Sequence, residues 1–187
     1  KPYEVYFTSG GTESDNWAIK GTAFSMREKG KHIITSAIEH HAILNSCAFL
    51  EKLGYEITQL PVDKEGIVSI QALRNALRND TILVSAMLAN NEIGTIQNIS
   101  EFSTIAHSNQ TVFHTDAVQA IGHIPVNVEE LGVDMLSASA HKFNGPKGVG
   151  FFYLRDGISI EGFSSGGGQE RHMRGGTENV AGIVGMA

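Results

Sequence analysis

The sequence predicts an α/β fold in which a mostly parallel (mixed) central sheet is flanked by helices. Three observations carry that expectation. Strand-like and helix-like patterns alternate along the chain, as strand–helix–strand units require. Thr81–Leu88 is almost wholly apolar, the pattern of a strand covered on both faces. The glycines cluster at junctions (Gly10-Gly11, Gly145, Gly148, Gly166-Gly167-Gly168 and Gly175-Gly176), where open sheets of this kind bind ligands.

The elements follow in order. Val5–Thr8 reads as a strand that runs into the tight turn Ser9-Gly10-Gly11, and Thr12 to Arg27 as a helix with Trp17, Ile19 and Phe24 among its apolar positions. His32–Thr35 is a short strand, and His40 to Leu53 a helix stopped by Gly54. Tyr55–Leu60 is a strand and Ile70–Leu77 a short amphipathic helix. Beyond Thr81–Leu88 come a helix at Ile99–His107, strands at Val112–His114 and Met135–Ala138, and a last apolar strand at Gly148–Leu154. The chain has no internal repeat and no low-complexity linker.

With 187 residues, 41% of them hydrophobic, the chain can bury a sizeable core as one globular domain. A net charge of −6 without a basic stripe argues against nucleic acid as a partner. No apolar run is long enough for a membrane span. The single cysteine, Cys47, excludes an intramolecular disulfide and points to a reducing, cytoplasmic setting. It lies in the helical series Ile43, Cys47, Leu50 with no base beside it, so it reads as a core residue rather than a nucleophile. Lys1 enters a strand almost at once and Ala187 falls in a helix-like run, so the sequence reads as a piece of a longer protein.

The chemistry is concentrated in Ser139-Ala140-His141-Lys142, which follows an apolar strand and runs into Gly145-Pro146. A lysine at a sheet rim can be desolvated, which favours the neutral, nucleophilic amine. Asp116 lies 26 residues upstream, directly after another strand. A buried carboxylate for a pyridinium nitrogen and an amine for a Schiff base are what a pyridoxal 5′-phosphate (PLP) enzyme needs. The plainer readings are a solvated lysine and a helix-capping aspartate. Ser139 and His141 offer a hydroxyl and an imidazole to an anion.

Other segments extend this pattern. Gly11 and Thr12, in the turn before the first helix, suit a phosphate at a helix N-terminus, with an ordinary turn capped by Thr12 or Ser14 as the alternative. His40 and His41 project about 100° apart on a helix, a poor metal pair. One of them could stack on a cofactor ring while the other faces solvent, and a surface pair is the plainer reading. Asn91 could bond a phenolate oxygen, whereas Asn90 suits a polar turn. Gln119, three residues after Asp116, reaches the same ring if the segment is helical. Gly166 to Asn179 reads as a mobile polar loop leading into a helix capped by Thr177, with an anion contact across a subunit interface as its functional reading.

Taken together, the segments Phe7–Asn16, Thr35–His40, Ala89–Gly94, His114–Gln119, Ser139–Gly150 and Gly166–Asn179 resemble the cysteine desulfurases, in their order and spacing and across essentially the whole chain. That group belongs to the class V aminotransferases of fold-type I PLP enzymes, and the Lys147-Gly148 and Arg174–Asn179 segments look like its nitrogen-fixation and housekeeping (group I) branch. The resemblance implies that Lys142 bonds PLP, Asp116 pairs with the ring nitrogen, and His40 stacks on the ring and moves protons. Asn91 and Gln119 would contact the 3′-oxygen side. Gly11, Thr12, Ser139 and His141 would hold the phosphate, joined by Thr177 of a second subunit in a homodimer. It also implies L-cysteine as substrate, L-alanine as product, and a persulfide passed to a sulfur-acceptor protein for iron–sulfur cluster assembly or thiolation. Residues 1–187 would then be the PLP-binding large domain, without the N-terminal arm, the small C-terminal domain or the nucleophilic cysteine. A selenocysteine lyase, another class V aminotransferase, and a non-catalytic dimerisation or sulfur-carrier scaffold are the alternatives.

Overall fold

The computed structural model describes residues Lys1–Ala187. Its strands are β1 (Val5–Thr8), β2 (His32–Ser36), β3 (Glu56–Leu60), β4 (Thr81–Ser85), β5 (Val112–Asp116), β6 (Met135–Ser139) and β7 (Gly150–Leu154). Its helices are α1 (Gly11–Ser25), α2 (His41–Glu51), α3 (Ile70–Ala76), α4 (Ile99–Ser108), α5 (Val128–Leu131) and α6 (Val180–Met186). The strands form one sheet in the order β1-β7-β6-β5-β4-β2-β3. From β6 through β3 every neighbouring pair is parallel, and β7 runs antiparallel to both β1 and β6. The sheet is therefore mixed and mostly parallel, as the sequence predicts.

Central strands β2, β4, β5 and β6 are buried at every position, because helices cover both faces of the sheet. Successive side chains point to opposite faces, so neighbours in sequence enter different cores. Ile33, Leu83, Met135 and Phe152 join Trp17, Ile19, Ile43 and Leu50 on the side of α1 and α2. Ile34, Val84, Leu136 and Tyr153 join Leu73, Phe102 and Ile105 on the side of α3 and α4. Trp17, fully buried, anchors the first core: its Nε1 donates to Glu161 O at 2.9 Å, and its ring lies 4.9 Å from Phe152 and 5.2 Å from Tyr6. Cys47 is buried in that core at 1% exposure, and burial pushes its thiol up to about 12.

Several local expectations are corrected. Helix α1 is capped by the backbone at Gly10, with neither Thr12 nor Ser14 serving as the side-chain cap. Ser14 instead lies inside the helix, where its hydroxyl meets Thr8 Oγ1 at 2.9 Å. Strand pairing of β4 ends at Ser85, although Leu88 N still donates to Asp116 O at 2.9 Å. Asp116 is the last residue of β5 rather than one following it. At the far end, α6 is capped by Asn179, whose Oδ1 accepts from Gly182 N at 3.1 Å, and not by Thr177. No helix is long and apolar enough to cross a membrane.

Candidate active site

The parallel strands β2, β4, β5 and β6 end on the same side of the sheet, and β1 delivers its turn to that side because its antiparallel partner β7 begins there. Gly150 opens β7 opposite both Thr8 and Ser139. A Cβ at Gly150 would lie 2.4 Å from Ala138 O and 2.7 Å from Gly10 Cα, so three backbone segments close up at this point. Above them lies a cavity of about 260 Å³.

Each wall comes from a strand end. The β1 turn contributes Gly11 and Thr12, with Asp15 one helical turn further on. His40, the cap of α2, enters from beyond β2. Met87, Ala89 and Asn91 come from the segment after β4, and Asp116, Val118 and Gln119 from the end of β5. Ser139, His141 and Lys142 complete the ring at the end of β6. Nine of the ten residues singled out above thus meet around one cavity: Gly11, Thr12, His40, Asn91, Asp116, Gln119, Ser139, His141 and Lys142. Thr177 does not. It lines a separate depression with Ser9, Gly148 and Asn179.

Local bonds set the side chains. Asp116 is 4% exposed, and its Oδ1 accepts from Val118 N at 2.8 Å, a local turn that fixes the carboxylate at the end of β5. Burial raises the Asp116 carboxyl, while Val118 N, His40 and Lys142 favour its charged form. Ser139 Oγ and His141 Nδ1 lie 3.0 Å apart, so the first and third residues of the motif brace each other. Lys142 stands on a single 3₁₀ turn, Ala140–Phe143, that Asn144 ends in the left-handed region at φ 69°. It is exposed, so this chain alone does not supply the desolvation expected from the sequence. His40 Nδ1 accepts Ala42 N at 3.1 Å, so the neutral ring carries its proton on Nε2. His40 and its neighbour His41 are both exposed in this chain, as the surface-pair reading expects, although His40 also lines the cavity. Asn90 serves the turn, accepting from Glu92 N and Ile93 N and donating to Ile38 O at 2.8 Å.

Two buried carboxyls escape the sequence reading. Glu39, 5% exposed, accepts from Ser36 Oγ and from Met87 N, tying the loops after β2 and β4 together. Burial pushes its carboxyl up to about 8. Asp15, 1% exposed, is raised well above the usual carboxylate range by burial and by the charge of Asp116. Its spacing was the available signal, since it falls four residues after Gly11 and three after Thr12, on the helical face that meets the cavity.

Sheet order and a polar cavity at the strand ends define this as a ligand-binding α/β domain of the fold-type I transferase architecture. A family profile described as Aminotransferase class-V matches residues 1–187, and the chain belongs to that family. It is 65% identical over 183 residues to "Cysteine desulfurase IscS" of Methanosarcina thermophila, covering 98% of this chain and 45% of that protein. It is 65% identical over 186 residues to the protein of the same name from Dictyoglomus turgidum, covering 100% of this chain and 47% of that one. Among solved structures, a "NIFS-LIKE PROTEIN" aligns with a TM-score of 0.97 at 47% identity, over 100% of this chain and 52% of the other. "SspA in complex with cysteine" aligns with a TM-score of 0.96 at 42% identity, over 100% of this chain and 54% of that one. The chain spans about half the length of the curated relatives it matches. Cysteine desulfurases of this family are PLP enzymes.

Proposed function

We propose that residues 1–187 form the PLP-binding large domain of a cysteine desulfurase, which works as a cytoplasmic homodimer and converts L-cysteine to L-alanine. The sulfur passes as a persulfide to an acceptor protein for iron–sulfur cluster assembly or thiolation. One observation carries the reading above the others: Lys142 and the buried carboxylate Asp116 face one cavity from the ends of adjacent parallel strands.

The cavity fits the group. Gln119 Oε1 and Asp15 Oδ1 are buried beside it without hydrogen-bond partners, and a ligand with donors or protons would satisfy such atoms. A Cβ at Gly11 would fall 2.5 Å from Val118 Cγ2, so only a glycine lets the β1 turn pack this closely against the end of β5 at the cavity rim, leaving its backbone there to meet a phosphate. In this reading Lys142 anchors the cofactor covalently and Asp116 holds the ring nitrogen. His40 packs on the ring and presents a proton at Nε2. Asn91 and Gln119 bond the ring oxygen. Gly11, Thr12, Ser139 and His141 receive the phosphate, with Thr177 of the partner subunit. When bound, PLP supplies an electron sink that weakens bonds at the substrate carbon skeleton.

Borohydride reduction of the protein after incubation with PLP, followed by peptide mapping, tests the assignment. A pyridoxyl label is expected on Lys142, and a label on another residue instead would overturn it. For the whole protein, turnover of L-cysteine to L-alanine and sulfide in the presence of a thiol is expected. Transamination without sulfide release would point to an aminotransferase instead.

A further inference from the structure

Pairing of β2 with β4 ends at Thr35 and Ser85, and beyond it no backbone hydrogen bond joins the loops that follow the two strands. Two side chains make the connection instead, one from each loop. Glu39 Oε1, after β2, accepts from Met87 N, after β4, at 3.0 Å and also receives Ser36 Oγ. Asn90 returns the contact from the other side. Its Nδ2 donates to Ile38 O at 2.8 Å, while its Oδ1 accepts from Glu92 N and Ile93 N. Both anchors are buried, Glu39 at 5% and Asn90 at 8% exposure, where a hydrogen bond is stronger than in water. Each anchor directly precedes a cavity residue, Glu39 before His40 and Asn90 before Asn91. Those two are exposed, so no surrounding packing fixes them and they follow the backbone that the anchors hold.

We propose that Glu39 and Asn90 form a reciprocal clip: they are positioning residues that fix His40 and Asn91 relative to each other across the cavity. The proposal rests on the PLP reading for what His40 and Asn91 touch, but the clip itself does not. In that reading His40 meets the face of the cofactor ring and Asn91 its oxygen edge. A rigid ring satisfies both only while the two loops keep one separation, and a slip between them breaks one contact as it keeps the other. Glu39 suits the task as a neutral acid, since burial pushes its carboxyl up to about 8 and its buried Oε2 has no partner. Glu39→Gln therefore keeps the acceptor for Met87 N. Asn90→Asp separates the two duties of that side chain, keeping the acceptor for the turn and losing the donor to Ile38 O.

Amide hydrogen exchange and PLP titration of the whole protein test the clip together. Without cofactor, Glu39→Ala should lose protection at Met87 N and Glu39→Gln should retain it. Glu39→Ala and Asn90→Asp should each weaken PLP binding about 10-fold, the scale of one lost hydrogen bond. Glu39→Gln should bind as the unsubstituted protein does. The decisive comparison removes the contacts themselves, because a slip costs nothing once only one of them is left. In a His40→Ala or an Asn91→Ala background, either clip variant should weaken binding by less than about 2-fold. Full additivity in both backgrounds would overturn the proposal. So would unchanged protection of Met87 N in Glu39→Ala, or a failure of Gln to restore binding. If Glu39→Ala does not fold, Asn90→Asp carries the same comparison. If Lys142 took no pyridoxyl label while Met87 N kept its dependence on Glu39, the cofactor reading would fall and the clip would stand.

Discussion

Arg174 grips Glu13 with two nitrogens, Nε on Oε1 at 2.8 Å and Nη2 on Oε2 at 3.2 Å, across 161 residues of sequence. Glu13 Oε2 also accepts Ser9 N at 3.0 Å. A residue of the late glycine-rich loop therefore fixes the turn that presents Gly11 and Thr12 to the cavity. Burial alone would raise the Glu13 carboxyl, but the bonds from Arg174 and Ser9 outweigh it and hold the group below its ordinary value. The same loop is tied a second time, by Gly175 N donating to Ser164 O at 2.9 Å.

Replacing Arg174 with Lys keeps the charge and loses the planar fork. Arg174→Lys is expected to cost about 1–3 kcal/mol of stability, the scale of a charge-assisted hydrogen bond, and to weaken PLP binding because the β1 turn is no longer held. Denaturant unfolding and a PLP titration read the two effects separately. Unchanged values in both would show that the turn is fixed by its own backbone.

The Glu39 carboxyl gives stability a defined pH dependence. Its ordinary value is 4.5 and burial raises it to about 8 in the folded chain, so the folded state binds the proton more tightly than the unfolded one. Its stabilising contribution is full below about pH 4.5 and is lost as pH rises through about 8. His114 works in the opposite sense. Lowered by burial from 6.5 to about 3, it contributes stability above pH 6.5 that is lost as pH falls towards 3. Well above pH 6.5 His114 is neutral in both states, so the decline there is shared by Glu39 and by His107, which its bond to Asp134 holds above its ordinary value. Glu39→Gln should flatten part of that decline in unfolding free energies measured across the pH series, and an unaltered slope would assign it to other groups.

Cys47 is expected to be inert in the folded chain. Its thiol is buried in the α1–α2 core, and burial raises it to about 12, so the thiolate that alkylating reagents need is scarce at neutral pH. Ellman's reagent should titrate it only as fast as the chain unfolds, with the rate rising in denaturant. Rapid stoichiometric reaction of the native chain would return Cys47 to the list of candidate nucleophiles.

The residues that were legible in the sequence share one property. Asp116 and Lys142 each follow an apolar strand run, and the ends of parallel strands converge in space, so their sequence positions already imply a common site. Asp15 and Glu39 lack that signature. Helix α1 is buried on most of its circumference, so Asp15 interrupts no clear apolar stripe. Glu39 is buried by its bond to Met87 N, 48 residues away, a contact fixed by the pairing of β2 with β4 rather than by local pattern. Thr177 shows the reverse failure: a favourable capping residue type was overruled because α6 begins at Val180, which leaves Asn179 in the capping position. The direction of β7 was equally hidden, since an apolar run identifies a strand without saying which way it points.

Gly11 offers the sharpest test of how the β1 turn and the end of β5 depend on each other. A Cβ there would lie 2.5 Å from Val118 Cγ2 and 3.7 Å from Ser139 Cβ. Relief has to come from Val118, whose backbone N–H donates to Asp116 Oδ1 at 2.8 Å. Gly11→Ala therefore acts on Asp116 through Val118, although neither Asp116 nor Val118 is itself replaced. Overpacking of this kind costs about 1–3 kcal/mol, and the displaced Asp116 should weaken PLP binding beyond what the loss of stability explains. Adding Val118→Ala to Gly11→Ala removes the colliding methyl and should recover most of the affinity. If the double variant bound PLP no better than Gly11→Ala alone, the defect would lie in the turn's own approach to the phosphate and not in its pressure on Asp116.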